Sequence, residues 1–195
     1  MLGTIGRKLF TISEIYQNIY KAIISRKDFN NAIKNNLISN QFKERIMLAV
    51  TEVNKCDMCS YAHTKAALDS GMSGEEIQKI LMGDLKEAPE DEIKGILFAQ
   101  HYADFRGEPD SETWISLVKE YGKDKALGVL GVIRIIMVGN SLGIPLGSLK
   151  NRFKNQPDPR SSIGYELLVL LLTVPLFVLA LIFSIMPMAK KFILE

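Results

Sequence analysis

Apolar residues recur every three or four positions from about residue 13 to residue 142, the spacing that puts one face of an α-helix into a core. This periodicity predicts helices over residues 13–25, 28–36, 40–53, 56–71, 74–82, 89–106, 111–121 and 124–142. No run of alternating β-branched residues is long enough to read as a strand. The ends carry their own signals. Ser73 with Glu76 three residues later reads as a capping box, Pro89 suits a first helical position, and Gly71, Gly107, Gly122 and Gly143 suit C-terminal caps. An all-α fold is the expectation.

The pattern changes after residue 154. Residues 155–164, NQPDPRSSIG, are rich in Pro, Ser and Gly and read as a linker. From Leu167 to Ala189 no charged residue occurs over 23 positions. The hydrocarbon core of a bilayer needs about 20 such residues, and Pro175 is tolerable in a spanning helix. The expected organisation is a helical domain over 1–154, a linker over 155–165, a transmembrane anchor over 166–189 and a tail over 190–195. A buried core helix or an oligomer-interface helix is the alternative for the apolar segment. Lys150, Arg152, Lys154 and Arg160 precede it, whereas Lys190 and Lys191 follow it, a bias that places the domain on the cytoplasmic side. Arg7 and Lys8 interrupt the first apolar residues, so no secretory signal is expected, and Leu2 excludes a myristoylation start.

Composition narrows the partners. The 195 residues carry a net charge of only +2, and no basic helix interleaved with aromatic residues occurs, so nucleic acid is not an expected partner. The chain has two cysteines, Cys56 and Cys59, three residues apart. Two thiols this close in an otherwise cysteine-free chain do not make a secreted disulfide framework and point to chemistry or to a metal.

On a helix starting near Cys56, the residues Cys56, Cys59 and His63 stand at i, i+3 and i+7 and share a face. A cysteine in the first turn feels unpaired amide groups and the positive end of the helix dipole, which favour thiolate. His63 is one turn further and can take or relay a proton. With a short turn at residues 53–55, the helices 40–53 and 56–71 form an antiparallel hairpin. At 1.5 Å rise per residue Glu44 lies about 15 Å back from the turn and His63 about 13 Å forward, which puts them at the same level. A carboxylate there fixes the imidazole tautomer and raises its basicity. Glu52 is too near the turn for that role.

The stretch ERIMLAVTEVNKCDMCSYAH, with a glutamate twelve residues before a C-x-x-C and a histidine four residues after it, resembles the signature of the alkylhydroperoxidase D family within the carboxymuconolactone decarboxylase-like superfamily. The resemblance covers roughly residues 10–150, including SGMSGEEIQKIL and LGVIRIIMVGNSLGIPL with Asn140, and excludes the C-terminal apolar segment. It implies an alkylhydroperoxidase D-like helical bundle that usually oligomerises. It also implies an enzyme, a thiol-dependent hydroperoxide reductase of peroxiredoxin type, with no cofactor and no bound metal. In that scheme Cys59 is the peroxide-reactive thiolate, Cys56 its resolving partner in a Cys56–Cys59 disulfide, and His63 with Glu44 the proton relay. The partners implied are a hydroperoxide and an external dithiol reductant, lipoyl-type or thioredoxin-like. Met58 stands where some members carry a second histidine.

Other readings of the same cluster stay open: a zinc site using both thiolates, His63 and Glu44, or a membrane-tethered redox sensor without turnover. Haem attachment is excluded by Ser60, which follows the C-x-x-C where a histidine would be needed. A decarboxylase like the superfamily's other branch is disfavoured by the paired cysteines. His101 reads as a structural residue near Tyr102 and Phe105. Arg134 interrupts an apolar helix and, if buried, requires a carboxylate or a subunit-interface partner. Gly128, Gly131 and Gly139 permit close approach of another helix, and Trp114 reads as a core or surface residue.

Overall fold

The computed structural model describes residues 8–185. The described residues contain seven helices and no strand, which agrees with the all-α expectation. Helix α1, Ile12–Lys34, opens with a complete capping box between Thr11 and Glu14. It runs unbroken where the periodicity predicts two helices, because Arg26, Lys27 and Asp28 include no residue that breaks a helix. The other elements are α2 (Asn40–Asn54), α3 (Asp57–Asp69), α4 (Gly74–Leu81), α5 (Glu90–Asp104), α6 (Ser111–Arg152) and α7 (Ile163–Ile185). Gly122, at φ 73°, interrupts α6 where the chain turns. Pro89 is the residue before α5 rather than its first helical position.

The central contact is α1 against the second part of α6. Gly128 lies against Ala32, and a Cβ on Gly131 would come within 2.8 Å of the Phe29 Cβ. These two glycines serve the chain's own α1, so their small size is accounted for without a second subunit. Around this seam pack Ile15, Ile19, Ile46, Leu48, Ile96, Phe98, Leu117 and Ile133, all buried. Trp114 is half-buried, with its ring 5.9 Å from that of Phe98. His101 lies against Phe105, the ring centroids 4.4 Å apart and the planes tilted by 35°, and pairs with Asp110 at 2.7 Å.

Two buried arginines hold the bundle in different ways. Arg45 on α2 bonds Glu76 of α4 at 2.6 Å and Glu92 of α5 at 2.8 Å. Glu76 is therefore committed to Arg45 and does not complete the expected capping box; only the Ser73 half, accepting the Glu76 amide at 3.1 Å, is present. Removing one member of such a group leaves charges stranded in the interior. Arg45→Met is expected to lower stability by about 3 kcal/mol, read as a lower midpoint in urea unfolding. Arg134 departs from expectation. It is buried, yet its partners are hydroxyls, Ser25 Oγ at 2.6 Å and Tyr102 Oη at 3.3 Å, rather than a carboxylate or a neighbouring subunit.

Among the described residues two helices, α6 and α7, are long and apolar enough to cross a membrane. Burial separates them: the most apolar stretch of α6 is 72% buried within the fold, that of α7 only 11%. Helix α7 touches α1 and α6 with a narrow stripe that includes Val169, Leu176 and Ala180, and presents Leu167, Leu171, Val174, Val178 and Ile182 outward. The last four residues of the expected anchor, 186–189, and the tail 190–195 lie outside the described residues.

Candidate functional site: a disulfide at a helix N-terminus

The site grows out of the α2–α3 hairpin. Lys55 ends α2 in the left-handed conformation, φ 55° and ψ 57°, with its amide bonded to Thr51 O at 2.8 Å. That reversal delivers Cys56 as the N-cap of α3, one residue ahead of the helix proper. Cys56 and Cys59 are joined as a disulfide. Sγ of Cys56 also accepts the Cys59 amide at 3.3 Å, filling the place a serine or aspartate side chain takes at an ordinary N-cap. Both sulfurs therefore sit where the first-turn amides and the helix dipole favour negative charge. Cys56 is 1% exposed and Cys59 7%.

Helix α6 forms the wall behind the disulfide. A Cβ on Gly143 would lie 2.7 Å from Cys59 Sγ and 3.0 Å from Cys56 Sγ, so only glycine lets this wall come so close. The expectation that Gly143 caps a helix ending at 142 is thus corrected: α6 continues through Gly143 and Pro145 to Arg152. A helix buried along this length gains more from packing than it loses by the one hydrogen bond that Pro145 forgoes. The carbonyl of Gly139 lies 3.4 Å from Cys59 Sγ, placed to accept from its thiol when reduced. Beneath the turn, Asn140 accepts from Asn54 at 3.0 Å and donates to Thr51 Oγ1 at 3.1 Å, tying the end of α2 to α6.

Glu44 and His63 meet across the hairpin. Nδ1 of His63 lies 2.8 Å from Glu44 Oε2, and the carboxylate is nearly buried, with Lys43 Nζ 3.2 Å from its other oxygen. Burial alone would raise the pKa of Glu44. The hydrogen bond and charge of His63, with Lys43, outweigh it and hold the carboxyl below its ordinary value of 4.5. A lowered carboxylate pKa stabilises the fold above 4.5, and this contribution fades as pH falls through the folded value. Thermal melts should therefore show Glu44→Gln less stable than wild type near neutral pH, with the gap closing in acid. His63 follows Cys59 by four residues, about 6 Å along the axis at 1.5 Å per residue. The structure thus brings all four residues singled out in the sequence into one hairpin. Glu52 instead pairs with Lys55 at 2.5 Å.

A cavity of about 670 Å³ lies beside the turn, with Val53, Met58, Tyr61, Ile144, Lys150 and Pro157 among its lining; Glu44, Cys56, Cys59 and His63 are not part of that lining. Met58 and Gly143, which touch the sulfurs' surroundings, form part of its inner wall. Among the described residues no group of three or more His, Cys, Asp and Glu side chains is arranged to hold a metal ion.

Two features carry no local mark in the sequence: Gly143 as the wall behind the sulfurs, and the contribution of residues 156–160 to the cavity wall. A C-x-x-C flanked by small residues on another helix is the signal that would have pointed to the first.

No curated protein and no solved structure matches the chain. The model of the carboxymuconolactone decarboxylase family matches residues 25–85. That segment, less than half of the chain, holds Glu44, Cys56, Cys59 and His63 and is similar to that family.

Proposed function

We propose that this protein is a dithiol peroxidase, anchored to a membrane by α7 with its helical domain on the cytoplasmic side. In the reduced protein, the Cys59 thiolate attacks the O–O bond of a hydroperoxide. The sulfur becomes sulfenic acid, and the departing alkoxide takes a proton to leave as the alcohol. His63 supplies that proton or removes the one on Cys59, with Glu44 fixing its Nδ1 so that Nε2 is the exchanging atom. The Cys56 thiol then displaces hydroxide from the sulfenic acid, which leaves as water, and the Cys56–Cys59 disulfide closes. An external dithiol, of lipoyl or thioredoxin type, returns both thiols by exchange.

The observation that carries this reading is the disulfide at the start of α3, with the Glu44–His63 pair on the same hairpin. The cavity beside it has room for an organic peroxide. The test is steady-state turnover by the full chain in lipid nanodiscs, supplied with dihydrolipoamide and either cumene hydroperoxide or a phospholipid hydroperoxide. Many turnovers support the peroxidase, and preference for the phospholipid peroxide supports the membrane as substrate source. Reduction of soluble peroxide with none of the lipid peroxide would sever anchor from substrate.

A second reading, a redox sensor, draws on the burial of both sulfurs, which slows attack by an external dithiol. Under that reading the disulfide forms once with peroxide and is re-reduced too slowly for turnover.

A further inference from the structure

We infer that Arg160 is a positioning residue of the dithiol site, supplied from outside the family-matched segment, and that it holds the turn presenting Cys56 so that the two sulfurs meet. The inference rests on the redox reading of the Cys56–Cys59 pair, though not on the identity of the oxidant.

The geometry is a continuous set of bonds from α7 to the turn. The last carbonyls of α2 have no helical amide to accept from and need other donors. Arg160 provides them: Nη2 donates to Lys55 O at 2.9 Å and Nη1 to Asn54 O at 3.3 Å. Lys55 is the residue before Cys56, so these bonds fix the peptide from which the first sulfur is hung. Asp158 in turn holds the guanidinium, with Oδ2 at 2.7 Å from Nη2 and Oδ1 at 3.0 Å from Nε. The backbone amide of Asp158 donates to Ser148 Oγ at 2.9 Å, and that hydroxyl donates to the buried Glu166 at 2.6 Å. Glu166, near the start of α7, is also bound by Arg152 at 2.6 Å. Residues 156–160 therefore do more than connect the bundle to α7: they lie against α6, close one side of the cavity and clamp the redox turn.

Closing a disulfide between residues three apart depends on the effective concentration of one thiolate at the other sulfur, which a fixed turn raises and a loose one lowers. Arg160 acts on that quantity through the backbone. Its charge is largely matched by Asp158, so the guanidinium serves chiefly as a fork that spans two carbonyls, a geometry lysine lacks.

The test uses the reduced full chain in detergent micelles and 5,5′-dithiobis(2-nitrobenzoate), whose two phases separate the two steps. In the first, one cysteine thiolate attacks the reagent, forming a mixed disulfide and releasing one thionitrobenzoate. In the second, the other cysteine displaces the remaining thionitrobenzoate and closes the Cys56–Cys59 bond. Arg160→Gln is expected to slow the second phase roughly ten-fold relative to the first. Arg160→Lys should recover only part of that loss, and Asp158→Asn should move it the same way by less. General loosening of the fold would not single out the second phase. An unchanged ratio of phases in Arg160→Gln overturns the inference, as does an unchanged ratio in Asp158→Asn should the first variant fail to fold. If wild type closes the ring with this reagent yet ignores hydroperoxides, the peroxidase reading fails while the role of Arg160 stands or falls on its own ratio.

Discussion

Cys59→Ser is expected to abolish reaction with hydroperoxide, lowering the second-order rate by roughly a thousand-fold or more, since a serine hydroxyl is a far poorer nucleophile than a thiolate and Cys56, the other thiol, is the more deeply buried of the two. Cys56→Ser should behave differently. The first step survives, but with no thiol to condense, Cys59 stops at the sulfenic acid and then over-oxidises. Stopped-flow consumption of peroxide reads the first effect, and trapping with dimedone followed by intact mass reads the second. The asymmetry matters because the oxidised structure treats the two sulfurs almost alike. Cys56 is the N-cap, accepting the Cys59 amide, while Cys59 is slightly more exposed and one turn from His63. If Cys56→Ser is the inert variant and Cys59→Ser the one that traps sulfenic acid, the N-cap position decides which thiolate attacks, and the roles are exchanged.

The second large effect is structural. Gly143→Ala is expected to destabilise the oxidised protein by about 1–3 kcal/mol, although alanine is the better helix former by about 1 kcal/mol. The two contributions oppose each other, and geometry decides. The added methyl would sit 2.7 Å from one disulfide sulfur, 3.0 Å from the other and 3.4 Å from Met58 Cε; the methionine end can move aside, but the two bridged sulfurs cannot. Either α3 shifts away from α6 or the disulfide turn distorts, and the first opens the cavity wall. Gly147→Ala is the comparison, since its methyl meets only the Met58 Cβ at 3.3 Å. Urea unfolding of the oxidised forms should show a loss for position 143 well beyond that for 147. A gain at 143 would mean the wall is softer than the structure shows.

What was legible in the sequence was local. The cap at Ser73 and the breaks at Gly71, Gly107 and Gly122 depend on neighbours within a few residues, so α2 to α5 start and stop close to where periodicity puts them, whereas α1 joins two expected helices and α6 runs on to Arg152. The level of Glu44 against His63 follows from counting rises on two helices that share a short turn, which is why those two residues lie together. What was not legible depends on elements far apart in the chain. Arg134 could not reveal hydroxyl partners on α1 and α5, because neither Ser25 nor Tyr102 is marked by any local pattern. Glu76 looked like a capping residue since its spacing from Ser73 is right, and a buried arginine on α2 drew it away. Gly143 looks like a helix end in a single sequence, whereas burial of α6 on several sides carries the helix through it and through Pro145. Arg160 sits in a Pro-rich stretch that reads as connection, and only the folded path shows its guanidinium at the end of α2.

The central claim is that Cys56 and Cys59 together accept the oxidising equivalent of one hydroperoxide. The most direct measurement is single turnover: the reduced full chain in detergent micelles, mixed with one equivalent of cumene hydroperoxide, quenched by acid and weighed intact, with the alcohol quantified. The expected result is a protein lighter by two hydrogens and one alcohol formed per chain, on the time scale of peroxide loss. A chain that keeps both thiols while the peroxide persists would contradict it.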